Sequence, residues 1–134
     1  MKSEYLSAAQ LTGLLTVGDI LIPGDGEMPS FSACGCAAQA DRMLAHMTDA
    51  DRDGVKALLG IFRFLPRFAV RAIFWLTEKH HAFPEPIAAV LRLVNLGVKG
   101  VVMTLYYSGV DEGEAIHRLI KWDAKVVEAP ARAE

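Results

Sequence analysis

Apolar residues in this chain return every three or four positions, and no segment alternates with a period of two. A repeat near 3.6 gathers such residues on one face of an α-helix, whereas a half-buried strand needs strict alternation. Leu11, Leu14, Leu15 and Ile22 share a face, with Gly18 among them, and Ser7 and Gln10 have the spacing of a capping box. Pro23-Gly24-Asp25-Gly26 ends that helix in a turn, and a loop runs on through Met28, Pro29 and Ser30. Ser32 is placed to cap a second helix whose apolar face is Ala33, Ala37, Ala40, Leu44 and Met47. Thr48 opens a third, where Asp49 and Asp51 suit the positive end of the helix dipole and Val55, Leu58, Leu59 and Phe62 form the inner face. Pro66 either kinks this helix or begins a fourth, which runs to about His80 and stops before Phe83-Pro84-Glu85-Pro86. A fifth stretch runs from Pro86 toward Ser108, and Asn95, Gly97 and Gly100 weaken its middle enough to divide it in two. Asp111 and Glu114 read as the cap of a last helix holding Ile116, Leu119 and Ile120. The expectation is an all-α, compact single-domain bundle of about six helices over residues 1–127, with a mobile tail at 128–134.

A chain of 134 residues suits one domain and can bury roughly two-thirds of its unfolded surface. Apolar residues make up 52% of it, an excess implying that something outside the chain covers part of its apolar surface. The net charge of −2 gives no support to nucleic acid or an anionic membrane as partner. The longest apolar stretch, Ile87 to Tyr107, is interrupted by Arg92, Asn95 and Lys99, so no membrane span is expected. The N-terminus carries Glu4 and lacks a basic cluster or a twin-arginine pair. A cytoplasmic location is therefore expected as the sequence stands, or a periplasmic one if a partner carries the chain out or a leader has been removed.

Four features bear on chemistry. Arg63, Arg67 and Arg71 fall at i, i+4 and i+8 among Phe62, Phe64, Leu65, Phe68, Ile73, Phe74 and Trp75. So apolar a helix should be buried on most sides, leaving the arginines either as its wet edge or as a docking face. Two Glu-x-x-His steps, Glu78 to His81 and Glu114 to His117, match half of a di-iron pattern. The glutamates that two further helices should supply are missing, with only Asp19 and Asp41 in their place. No metal is therefore expected. Cys34-Gly35-Cys36 is too short a loop for an unstrained bridge, and no nucleophile elbow or phosphate loop is present. Adjacent Tyr106 and Tyr107 point about 100° apart on a helix, one inward and one outward.

The segment Leu11-Thr-Gly-Leu-Leu-Thr-Val-Gly-Asp19-Ile-Leu-Ile-Pro23 resembles the start of the gluconate 2-dehydrogenase small (gamma) subunit family, and Tyr106-Tyr107-Ser108 resembles a C-terminal landmark of it. The resemblance implies a non-catalytic subunit that binds and stabilises a large FAD-containing catalytic subunit of the glucose–methanol–choline type, which oxidises alcohols or sugars. It implies no cofactor in this chain, with FAD in the partner. The chain departs from the family by lacking a twin-arginine signal, which weighs against a role in export. Arg63, Arg67, Arg71, Trp75, Tyr106 and Tyr107 are the expected partner-facing residues. The alternative is a self-contained helical bundle that binds a ligand or carries a metal. The periodicity itself predicts a far-ultraviolet circular dichroism spectrum dominated by the 208 and 222 nm helix minima (~1.5 Å rise per residue, no pleated strand); substantial strand signal is the contrary result.

Overall fold

The computed structural model describes residues 2–107. Among them six α-helices follow in order: α1 (Ala8–Leu21), α2 (Phe31–Cys34), α3 (Ala40–Leu44), α4 (Asp49–Phe62), α5 (Arg67–Glu78) and α6 (Glu85–Tyr107). Short 3-10 turns lie at Cys36–Gln39 and His80–Ala82, and no strand is present among these residues. The anticipated last helix with Ile116, Leu119 and Ile120, and the tail at 128–134, lie outside the described residues.

Local chemistry sets the helix starts. The Ser7 hydroxyl accepts from the Gln10 N–H, and the Gln10 side chain accepts from the Ser7 N–H at 2.9 Å, the capping box read from the spacing. Thr48 caps α4 by accepting from the Asp51 N–H, with Asp49 and Asp51 in the first turn. Such caps contribute about 1 kcal/mol each. Pro66 does not kink α4. It stands in extended backbone as the residue before α5, because a proline ring disfavours continuing the preceding helix.

Two expectations are corrected. The second helix does not run from Ala33 to Met47. It breaks at Gly35, whose φ of 76° is left-handed backbone, and resumes through a 3-10 turn into α3. Its cap is Ser30, not Ser32: the Ser30 hydroxyl accepts from the Ala33 N–H, and Ala33 is exposed. Conversely, Gly97 and Gly100 do not divide α6. The helix passes continuously through a π turn at Val94–Lys99, where Gly97 lies against Val55 of α4.

Helix α1 sits at the centre, with α2, α4, α5 and the end of α6 around it. Leu14 and Val17 are fully buried, and Leu59, Val70, Val98, Val102 and Tyr106 complete the same core from other helices. Gly13 lies so close to the Leu59 carbonyl that a Cβ would overlap it, and a Cβ on Gly18 would overlap the Phe31 ring. By length and composition α6 is long and apolar enough to cross a membrane, with a mean hydropathy of 1.6, yet Val98, Val102 and Tyr106 on it are buried within the bundle.

The N-terminal strap is held by hydrogen bonds. Asp41 of α3 accepts from the Ser3 hydroxyl and from the Glu4 N–H, the latter at 2.8 Å. Arg52 donates to the Leu44 and Met47 carbonyls and lies 4.7 Å over the Tyr5 ring, closing the α3–α4 corner. Burial pushes the Asp41 carboxyl up, but hydrogen bonds from Ser3, Glu4 and Tyr5 outweigh it and hold the group below its ordinary value of 3.8. A depressed carboxylate stabilises the folded state above its unfolded value, and that contribution is lost as pH falls through the folded one. Strap docking should therefore weaken below about pH 3.8 in the wild type, and Asp41→Asn should remove most of that acid dependence, read as strap amide exchange against pH. At the core, Gly13→Ala should cost roughly 1–3 kcal/mol in denaturant unfolding despite alanine's better helix propensity, because two backbones would have to part.

Candidate functional site

The six partner-facing residues expected from the sequence fall in two separate places. Arg63 caps the end of α4, the chain turns through Phe64 and Leu65, and α5 starts after Pro66. The break takes Arg63 out of the helical stripe, which survives as Arg67, Arg71 and Trp75. The inner side of α5 is Val70, Phe74 and Thr77, and Phe74 lies 5.8 Å from the Phe62 ring.

The outer side of α5 is uncovered, contrary to the expectation of a helix buried on most sides. Phe64 is 79% exposed, Phe68 76% and Trp75 55%. The bundle meets α5 along a single stripe, so among the described residues nothing packs on its remaining apolar side chains. All three arginines are exposed beside these rings. Arg63 lies 5.2 Å over the Phe64 ring, and the Lys79 ammonium 4.0 Å over Trp75. The ion pairs among the described residues join Arg52 to Asp49, Arg92 to Glu85 and Lys99 to Glu78, and none uses Arg63, Arg67 or Arg71.

A second uncovered surface was not anticipated. Along the outer side of α6, Ile87, Val90, Leu93 and Leu96 are exposed, Leu96 by 75%. Leu93 and Leu96 border an open cleft of about 470 Å³ whose lining also includes Met47, Val55, Gly97 and the charged Asp51 and Arg92. The available signal was that Ile87, Val90, Leu93 and Leu96 add a second apolar stripe to a helix whose core contacts come from Ala88, Val94, Val98, Val101 and Val102.

The tyrosines mark the other place. Tyr106 is fully buried, and its hydroxyl donates to the Pro29 carbonyl at 2.6 Å. Tyr107 is about half exposed and meets the Tyr106 ring edge-on at 4.9 Å. Between the Pro23–Met28 loop, Met103 and Tyr107 lies a shallow cleft of about 220 Å³. The loop is fixed at its root as well: Asp19 accepts from the Ser32 N–H at 2.8 Å, and the Phe31 N–H donates to the Ile22 carbonyl. Tyr106 is thus tied to the loop that follows the Asp-aliphatic-Pro segment, 77 residues away at Pro29, and Ile22 and Pro23 of that segment line the cleft with both tyrosines. Ser108 lies outside the described residues.

The remaining features do not converge. Glu78 points to Lys99 at 4.0 Å, His80 donates to the Thr77 carbonyl, and His81 is exposed. Among the described residues no three of His, Cys, Asp and Glu lie together, and the Glu114–His117 step lies outside them. Cys34 and Cys36 are not bridged; Cys36 is buried with its thiol toward the Phe31 carbonyl. No protein-family model, curated protein or solved structure matches the chain.

Burial, with the nearby Cys34, Tyr107 and Cys36 groups adding to it, pushes the Tyr106 hydroxyl up to about 12. A raised value means that its stabilising contribution is whole below the ordinary value near 10 and is lost as pH rises toward 12. Tyr106→Phe should leave the Pro29 carbonyl without its donor at a cost of about 1–3 kcal/mol in denaturant unfolding. The same variant should lose the part of alkaline destabilisation that the wild type shows between pH 10 and about 12.

Proposed function

We propose that this chain is a non-catalytic small subunit that binds and stabilises the FAD-containing catalytic subunit of an alcohol or sugar dehydrogenase. The observation that carries the reading is where its uncovered apolar surface lies. Every large apolar side chain exposed among the described residues falls between Ile61 and Tyr107, on the α4–α5 corner and the outer side of α6. Isolated exposed apolar residues are ordinary, but clustered ones mark surfaces that a partner covers. The resemblance to the gluconate 2-dehydrogenase small subunit family names that partner. It gains support from the placement of the segments that carry it, since Ile22 and Pro23 line one shallow cleft with Tyr106 and Tyr107.

In this reading the flavin would be held by the large subunit and would supply the redox chemistry of alcohol oxidation there. The role of this chain is to cover apolar surface on that subunit and hold it in its active fold. The complex forms in the cytoplasm, or reaches the periplasm with a partner that carries an export signal. An obligate interface of this kind buries more than ~1,600 Å² in total, and the α4–α5 corner together with Tyr107 supplies its apolar contacts. Co-expression with a FAD-dependent catalytic subunit of the glucose–methanol–choline type tests the reading. The chain alone should aggregate or stay poorly soluble, and together the two should co-purify with FAD and flavin-dependent dye reduction. A stable monomer that leaves the flavoprotein's yield, flavin content and activity unchanged is the result against it.

A further inference from the structure

We infer that the outer face of α5 docks an acidic, apolar segment of a partner protein, with Arg67 and Arg71 meeting carboxylates and Phe64, Phe68 and Trp75 seated beside them. This rests on the reading of the chain as a subunit and names the chemistry of the surface it meets. The net charge of −2 hides a segregation along the chain. Residues 2–60 carry four lysines and arginines against eight aspartates and glutamates, whereas residues 61–107 carry six against two. The two carboxylates of the basic half are already engaged, Glu78 by Lys99 and Glu85 by Arg92. Arg63, Arg67 and Arg71 therefore have no carboxylate within 4.0 Å among the described residues.

A solvated arginine needs no partner. What distinguishes Arg67 and Arg71 is that they stand on the exposed side of α5 with Phe68 at 76% and Trp75 at 55%, while Phe64, 79% exposed, lies in the turn that leads into the helix. The twelve residues of α5 extend about 18 Å, so one partner segment laid along the helix reaches both kinds of group. The guanidinium fork matches a carboxylate in two parallel hydrogen bonds, which gain strength once neighbouring rings exclude water. Arginine and tryptophan dominate interface hot spots for the same reason. A bilayer fits less well, because an anionic surface that attracts the basic half repels the acidic one.

The test uses the full chain co-expressed with its flavoprotein. Arg67→Glu combined with Arg71→Glu should lower co-purification at least ~10-fold, while Arg67→Lys with Arg71→Lys should keep most of it. Phe68→Ser should weaken the complex without altering its salt dependence. Circular dichroism of each variant reports whether the bundle still folds; both arginines are exposed, so it should. A charge-reversed chain that co-purifies at the wild-type level overturns the inference and leaves the subunit reading standing. A wild-type chain that fails to bring down the flavoprotein overturns both. Sedimentation with phosphatidylglycerol vesicles, lost on the same charge reversal, would assign the face to lipid and also overturn the inference.

Discussion

At Gly13 the backbones of α1 and α4 meet with no side chain between them. That contact brings Leu14 and Val17 within reach of Leu59, Val55 and Phe62, and the core is assembled around it. A second glycine, Gly18, does the same for Phe31 and so sets where the loop after α1 must return. The loop's far end is then held by the Tyr106 hydroxyl on the Pro29 carbonyl, tying the end of the longest helix to the turn that follows the first. Close helix approach needs small residues at the crossing, and the glycines sit mid-helix at a propensity cost of about 1 kcal/mol each. The packing they permit offsets it.

An arrangement centred on α1 divides the surface unequally. The helices before Ile61 turn their apolar residues inward, and their outer sides are acidic and polar. From Ile61 onward, α5 and α6 each have one side in the core and a second, exposed side with apolar residues that no described residue covers: Phe68 and Trp75 on one, Val90 and Leu96 on the other. A small bundle can satisfy one face of a helix, not two. The excess of apolar composition thus has a definite place in the structure. That place is also where Arg63, Arg67 and Arg71 stand, outside the ion pairs found among the described residues.

Much of the fold was legible in the residues. The Ser7–Gln10 and Thr48–Asp51 spacings marked helix starts because side-chain capping is local chemistry and needs no tertiary information. The inner face of α4 was legible for a similar reason, since periodicity alone gathers Val55, Leu59 and Phe62. Ser30 and Ser32 could not be separated that way, as either hydroxyl caps equally well. Burial of Phe31 against Gly18 decides between them, and that is a long-range contact. Gly97 and Gly100 suggested a break in α6, but packing of Gly97 against Val55 keeps the helix whole through a π turn. That one of Tyr106 and Tyr107 faces inward and the other outward followed from the helical angle between neighbours; that Tyr106 is the inward one is set by the core and by its bond to Pro29. The exposure of Phe64 and Phe68 did not, because periodicity tells which residues are apolar and not how many helices are available to cover them.

The central claim is that the uncovered side of this bundle is the face of a subunit, and amide hydrogen exchange on the chain within its purified flavoprotein complex tests it most directly. Backbone amides of residues 63–79 should exchange markedly more slowly in the complex than in the chain alone, whereas the buried α1 amides, already protected by the core, should change little. Equal exchange of residues 63–79 in both states, with new protection confined to the acidic half before Ile61, would contradict the account.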